Sequence, residues 1–348
     1  MAPSTDPSAR MNDARRPLWD RALALLAWSL VSALFVLAGA RLLFHDASFS
    51  LIALGAFTAW VFLPAYLALV VGLWRRRPAL SGAAAVLSLL HLAWTVPGAL
   101  PAPGSPAVAD GSPGLRLMTA NLLAVNPDPT ALCDEIRARD PDVLLVQELS
   151  PRWLAAFEES GLLAHFPHAL YEVREDSFGA GIFSRLPLDR PERLDLLGVP
   201  LLRATVQAPG GDLRVYNVHP LPPRTPQYAA VWQRQMARLE EELAAEPGAL
   251  VAAGDFNATP HARWYQRLTR DRLRGAHEDH GRGLASTWPN GIFPLPPIRL
   301  DHVLLSPELA VLAIDEGRGQ GSDHRPVIAD LAFVTVEGSV EPPPPSTG

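Results

Sequence analysis

Leu250-Val251-Ala252-Ala253-Gly254-Asp255-Phe256-Asn257 decides the fold: a short apolar run closed by a glycine, then a carboxylate and an amide. Such a run bounded by turn formers predicts a buried strand over 249–253, with Asp255 and Asn257 just past its end. The same grammar recurs outward in both directions. Leu115 to Ala120 runs into Asn121, and Val143 to Val146 into Gln147 and Glu148; a strand over 213–218 ends in Asn217 and His219, and Asp323-His324 precede an apolar run over 326–335. Further strands are predicted over 179–184, 201–207 and 301–305, and helices over 128–139, 153–160 and 225–245. Interleaving of this kind predicts an α/β domain with buried sheets, whose functional groups gather in the crevice beyond the strand ends. Singly, an Asn or Asp after a strand is a turn former or helix cap. Five strand ends bearing Asn, Glu, His, Asp/Asn and Asp/His form one chemical set.

Carboxylates from Glu148 and Asp255, with an amide oxygen from Asn121 or Asn257, are hard donors suited to Mg²⁺ or Mn²⁺, cations that also take phosphate oxygens. His219 and His324 are placed to donate to a phosphoryl oxygen or to handle the proton of an attacking water. A single cysteine, Cys133, excludes an internal disulfide framework and a cysteine-based zinc site.

Seven segments, in order, carry a resemblance: Met118-Thr119-Ala120-Asn121, Val146-Gln147-Glu148, Gly181-Ile182-Phe183-Ser184-Arg185, Asn217-Val218-His219, Gly254-Asp255-Phe256-Asn257, Leu300-Asp301-His302-Val303 and Ser322-Asp323-His324. The set resembles the endonuclease/exonuclease/phosphatase (DNase I-like) superfamily and spans 115–334. The resemblance implies a four-layer α/β sandwich with the site at one edge of two packed sheets. It implies Glu148 as the principal Mg²⁺ ligand, helped by Asn121 and Asp323, and Asn257 as a holder of the phosphate. It further implies Asp255 as the group that orients or deprotonates the attacking water, His324 beside the scissile phosphate and held by Asp301, and His219 as a transition-state donor. The motif leaves open whether Asp255 or His324 takes the proton.

The first hundred residues are a different physical object. They carry eight Arg and four acids, against 22 Arg and 32 acids in the remainder, and the chain has no Lys. A mean hydropathy of +0.10 with 19% charged residues is too apolar for an ordinary soluble chain. Uncharged runs at 22–40, 47–74 and 78–109 predict a membrane domain over 1–100 with spans near 22–44, 50–74 and 79–97, the second kinked at Pro64. Arg10, Arg15, Arg16 and Arg21 precede the first span and Arg75 to Arg77 follow the second, which predicts a cytoplasmic N-terminus and an extracytoplasmic catalytic domain in a multi-pass plasma-membrane protein. A signal peptide cleaved near Ala38-Gly39-Ala40 is the rival reading of the first span. A Pro/Gly-rich linker over 101–114 predicts a stiff spacer lifting the domain off the membrane. The catalytic domain follows over 115–336, and a disordered tail over 337–348.

Substrate is read from departures and surroundings. Leu123 stands where some nucleases of the superfamily carry an acid, Ser177 or Phe178 where apurinic endonucleases have a tyrosine, and the domain's acidic balance disfavours nucleic acid. The apolar run Ile292 to Ile298, preceded by Trp288, reads either as a packed loop or as a lip touching bilayer or isoprenoid. Three spans and an outward domain resemble the VanJ-type teicoplanin-resistance phosphatases, which implies a prenyl pyrophosphate partner, undecaprenyl pyrophosphate, as substrate. The alternatives are an extracytoplasmic nuclease or soluble phosphodiesterase, and a non-catalytic membrane binding module.

Overall fold

The computed structural model describes residues 18–103, 114–291 and 295–334. The N-terminal arginines before position 18, most of the linker, Phe293 and the tail over 337–348 lie outside the described residues.

Helix α1 (Leu18–Phe44) and α5 (Pro78–Thr95) are long and apolar enough to cross a membrane. Between them run α2 (Phe49–Ala56), α3 (Thr58–Val61) and α4 (Pro64–Trp74). These amount to a third span only as a bent pair, turning by 70° at Phe57. The sharp bend therefore falls seven residues before the expected kink at Pro64, which instead opens α4 as its first residue, where the missing N–H costs nothing. The carbonyl freed at the break, Gly55 O, accepts from Thr58 Oγ1 at 2.6 Å and from Arg41 Nη1 at 3.5 Å. Small residues let the helices pack closely, with Ala27, Val31, Ala65, Ala68, Leu80 and Ala84 buried at the centre.

Asp20 binds Arg75 and Arg77, so the start of α1 and the α4–α5 turn share one end of the bundle. The catalytic domain sits on the other end. Arg41 Nη2 donates to His261 O at 3.1 Å, Gln233 Nε2 to Asp46 O at 2.8 Å, the Arg263 N–H to Asp46 Oδ2 at 2.7 Å and Trp60 Nε1 to Pro297 O at 2.9 Å. Gly98 O accepts from Gly283 N and Ala102 N donates to Glu278 O, so residues 98–102 lie against the domain; residues 104–113 of the expected spacer lie outside the described residues. A single 3-10 turn over Pro97–Ala99 follows α5, and the backbone donors and acceptors beside it pair with a neighbouring loop.

Two six-stranded sheets make the domain. Strands β1 (Gly114–Asn121), β2 (Val143–Gln147), β3 (His168–Glu172), β4 (Ala180–Ser184), β11 (Leu309–Glu316) and β12 (Val327–Phe333) form one, in the order β11-β12-β1-β2-β4-β3. Strands β5 (Leu188–Asp195), β6 (Pro200–Ala208), β7 (Gly211–Val218), β8 (Leu250–Asp255), β9 (Arg274–Gly275) and β10 (Asp301–Leu305) form the other, in the order β5-β6-β7-β8-β10-β9. Leu117, Leu145, Ile182, Val215, Val251 and Val303 interdigitate between them. Helices α6 (Pro129–Arg139) and α7 (Pro151–Glu159) cover the first sheet through Leu132, Ile136, Trp153 and Phe157. After a short α8 (Leu162–His165), the long α9 (Pro226–Ala245) covers the second through Trp232, Met236 and Leu239. The result is the four-layer α/β sandwich that the motifs imply. Because β1 runs parallel to β2 and β7 parallel to β8, their C-terminal ends meet along one edge. The pairing of Asp301 with Asp255 brings the start of β10 to the same edge.

Candidate active site

The edge is built by backbone features that the sequence motifs encode. Gly254 holds φ +146°, and a Cβ there would lie 2.0 Å from Val218 O; only glycine lets β7 and β8 approach so closely beside Asp255. Glu148 and Asn257 occupy left-handed backbone at φ 61° and 48°, a conformation held by the surrounding sheets and typical of functional turns. Across the sheets, Gln147 Nε2 donates to Asn217 Oδ1 at 2.6 Å, and Asn217 Nδ2 donates to Val146 O and Gly181 O. Gln147 and Asn217 thus clamp the two sheets together beneath the site.

Above that clamp the sequence-predicted residues converge. Asn121 Nδ2 donates to Glu148 Oε1 at 3.3 Å and to Asp255 Oδ2 at 3.2 Å. The Ala124 N–H fixes the other Glu148 oxygen at 2.9 Å, and the Asn257 N–H fixes Asp255 Oδ1 at 2.9 Å. His324 Nδ1 donates to Asp301 Oδ2 at 2.8 Å, while its Nε2 and that of His219 each lie 3.7 Å from Asp255 Oδ2. Asn257 Nδ2 donates to Pro220 O, which ties the loop after His219 to the floor. Asp323 lines the same cavity but accepts from Trp288 Nε1 at 3.2 Å, apart from the Glu148–Asn121–Asp255 set. Sequence reasoning gave no role to Ser322, whose hydroxyl donates to Asn121 O and accepts from the His324 N–H, joining two strand ends. Phe178, noted in the sequence as a departure from the apurinic endonucleases, packs on His219; Arg224 carries no sequence reading, and its place five residues after His219 is the available signal.

Electrostatics separates the two histidines. Burial disfavours a charged ring at both, and at His219 it wins over the attraction of Asp255, so the ring is neutral. At His324 burial is outweighed by the carboxylates of Asp301 and Asp255, and the pKa is pushed up to about 10. Burial pushes the Asp255 carboxyl above its ordinary range, against the pull of His324. The floor therefore holds a charged donor, His324, beside a carboxylate whose anionic form wants more positive charge than the protein supplies.

The residues fit a divalent cation. Two carboxylates converge on one amide nitrogen, Asp301 Oδ1 is buried with no partner among the described residues, and Asp255, Asp301 and His324 offer ligand atoms all within 4.8 Å of one another. Because His324 Nδ1 is engaged by Asp301, oxygen donors dominate, the set that hard cations prefer.

These groups line a cavity of about 870 Å³. Its catalytic side carries Glu148, His219, Asp255, Asn257, Asp323 and His324; Arg224 enters from the loop after β7. The opposite side is apolar and comes from the N-terminal helical bundle: Phe49, Ile52, Ala53, Ala56 and Phe57. Nothing in an uncharged membrane run signals that one of its turns faces an active site.

A two-sheet sandwich with carboxylates, amides and two histidines at one edge defines a metal-dependent phosphoesterase. The chain belongs to the Endonuclease/Exonuclease/phosphatase family, which it matches over residues 118–324, and it is such an enzyme, dependent on a divalent metal. Among solved structures, truncated TDP2 from Caenorhabditis elegans is similar in fold with a TM-score of 0.52 at 18% identity, covering 63% of this chain and 97% of that one. TDP2 from D. rerio, complexed with a single-strand DNA product, gives 0.53 at 16%, covering 63% and 99%. The 3' phosphatase NExo from Neisseria, bound to a product DNA hairpin, gives 0.51 at 21%, covering 62% and 98%. No curated protein matches the chain in sequence.

Proposed function

We propose that the protein is a membrane-anchored phosphohydrolase of VanJ type, with its catalytic domain outside the plasma membrane and a lipid pyrophosphate, such as undecaprenyl pyrophosphate, as substrate. One observation carries this reading: the cavity that holds Glu148, Asp255 and His324 is closed on its far side by the half-helix Phe49 to Phe57 of the membrane part. A phosphate head reaching the catalytic floor brings whatever it is attached to against that apolar wall. The separation of the Arg75 and Arg77 cluster from the domain, at opposite ends of the bundle, supports the outward orientation.

In this reading water attacks the terminal phosphorus. The new O–P bond forms as the bridging P–O bond breaks, its electrons leaving on the lipid monophosphate, and inorganic phosphate is the second product. A bound Mg²⁺ would supply charge neutralisation on the phosphoryl oxygens; Glu148 would hold it, with Asn121 as a second ligand in the amide orientation that presents its oxygen. Asp255, with its raised pKa, takes the proton of the water; His324, kept charged by Asp301, donates to a phosphoryl oxygen. His219, neutral, is a second donor at the same face. Arg224 has no carboxylate partner among the described residues and lines the cavity, so it is free to hold the other phosphate. Nucleic acid is disfavoured by the 32 acids against 22 Arg beyond residue 100.

The test is full-length protein in lipid nanodiscs with Mg²⁺, given undecaprenyl pyrophosphate and single- and double-stranded DNA side by side, with phosphate release and strand scission both measured. The expected result is lipid turnover that chelator abolishes and that Glu148→Gln lowers about 100-fold. Scission of DNA in clear preference to the lipid would make the protein a nuclease instead.

A further inference from the structure

The catalytic cavity does not end at its apolar wall. A second cavity of about 360 Å³ lies beyond it, and Ala56 and Ile298 line both. Ala59, Trp60 and Leu63 of the broken span form one side of this groove, and Leu284, Ala285 and Pro297 of the domain the other. The saddle between the cavities is rigid. Ile298 is buried and pairs with Trp288 through backbone hydrogen bonds, and Pro297 O is held by Trp60 Nε1 at 2.9 Å. The groove opens at Leu63, the first member of a stripe, Leu63, Leu67, Val70 and Trp74, spaced four, three and four residues apart and exposed along α4. That spacing puts the four side chains on one face of a helix, and in a membrane such a face meets hydrocarbon. A mostly apolar surface thus runs from the outer face of α4, through the groove, over Ala56 and Ile298, to the carboxylates; His261 and Arg299 also line the groove, the Arg299 guanidinium being held by Glu278.

We propose that the apolar chain of the lipid substrate follows this path: it leaves the catalytic cavity over Ala56 and Ile298, lies in the groove between the broken span and the Leu284 loop, and emerges along Leu63 and Leu67 into the bilayer. The proposal rests on the lipid reading above and adds to it a binding subsite built by two parts of the chain.

The experiment uses full-length protein in detergent micelles and compares kcat/KM for undecaprenyl pyrophosphate with that for a water-soluble five-carbon prenyl pyrophosphate. Ala59→Trp, which fills the groove, is expected to lower the long-to-short ratio by about 10-fold or more, mainly through KM, while Ala59→Ser keeps it near the wild-type value. In parallel, a prenyl pyrophosphate bearing a photoreactive group on its chain is expected to label the peptide containing Leu284; this arm needs no variant. A folded Ala59→Trp protein with a wild-type ratio, or labelling confined to peptides away from Leu284 and Leu63, overturns the groove while leaving the lipid reading intact. If wild type hydrolyses neither prenyl pyrophosphate, the functional reading fails and takes the groove with it.

Discussion

Within the helical bundle, Ser88 donates to Ala84 O one turn back, Thr58 to Gly55 O, Thr95 to His91 O, and Asp20 is enclosed by two arginines. At the catalytic edge, by contrast, Asp301 Oδ1 and His219 Nδ1 are buried with no partner among the described residues. Both regions bury polar atoms, and in the bundle His91 Nε2 too has no partner among the described residues, but the bundle hydroxyls are spent on their own helices. In an apolar surrounding a hydroxyl bonds back to its own helix because nothing else will take it, and the polar atom becomes glue. On a rigid sheet edge, unsatisfied groups can be held in place for a ligand, since the cost is met by the packed core behind them. Bundle polarity is therefore structural and edge polarity chemical, a division that substitution can break or sharpen.

The largest effects belong to the edge. Asp255→Ala and His324→Ala are each expected to lower turnover about 10²-fold or more with the melting temperature little changed, read by steady-state kinetics beside thermal unfolding. Asp301→Asn should cost less, roughly 10-fold, because it leaves the ring and removes its orienting charge. Its loss should grow as pH rises: Asp301 is one of the three anions, with Asp255 and Asp323, that hold the His324 pKa near 10, so without it the ring gives up its proton at lower pH and the alkaline limb of the profile moves down. An Asp301→Asn profile superimposable on wild type would mean that the pair is structural, and the contrast between the regions would dissolve.

An intermediate effect belongs to the bundle. A Cβ on Gly72 would lie 2.7 Å from Ser81 Oγ and 2.9 Å from Ser81 N, so α4 and α5 touch through a glycine. Gly72→Leu is expected to destabilise the protein by about 1–3 kcal/mol, seen in melting and yield. Turnover of a soluble phosphoester per folded molecule should change by less than about 2-fold, because sites sharing no partner act independently. The smallest effect is expected at the seam. Asp46→Ala removes the acceptor of the Arg263 N–H at the start of a short helix, a loss of about 1 kcal/mol in amide-exchange protection of that segment.

The eight strands read from the sequence are those inside the two sheets; β3, β5, β9 and β11, which were not read, are the four edges. An interior strand is covered on both faces, so β2 is buried at every position and shows as an unbroken apolar run. The edge strand β5, Leu188-Asp189-Arg190-Pro191-Glu192-Arg193-Leu194-Asp195, carries a proline and charges and buries no residue, so its pattern resembles a loop. The same logic governs the site. Residues standing at interior strand ends, from Asn121 to His324, were legible because the strands point at them. The wall from Phe49 to Phe57 was not, since periodicity reports which side of a helix is apolar and is silent on which distant loop that side meets.

The seam has a further meaning for how the protein is made. Asp46 and Arg263 are 217 positions apart, and Trp60 and Pro297 are 237 apart. Chains emerge from the ribosome at roughly 5–20 residues per second and fold N-terminal parts first, so the helical bundle has been synthesised well before its partners exist. Until the last strands arrive, Phe49, Ala53 and Ala56 face no protein surface, and the catalytic floor is unfinished because His324 has yet to be translated. A nascent chain that stops short of His324 thereby holds the helical bundle without a complete catalytic edge.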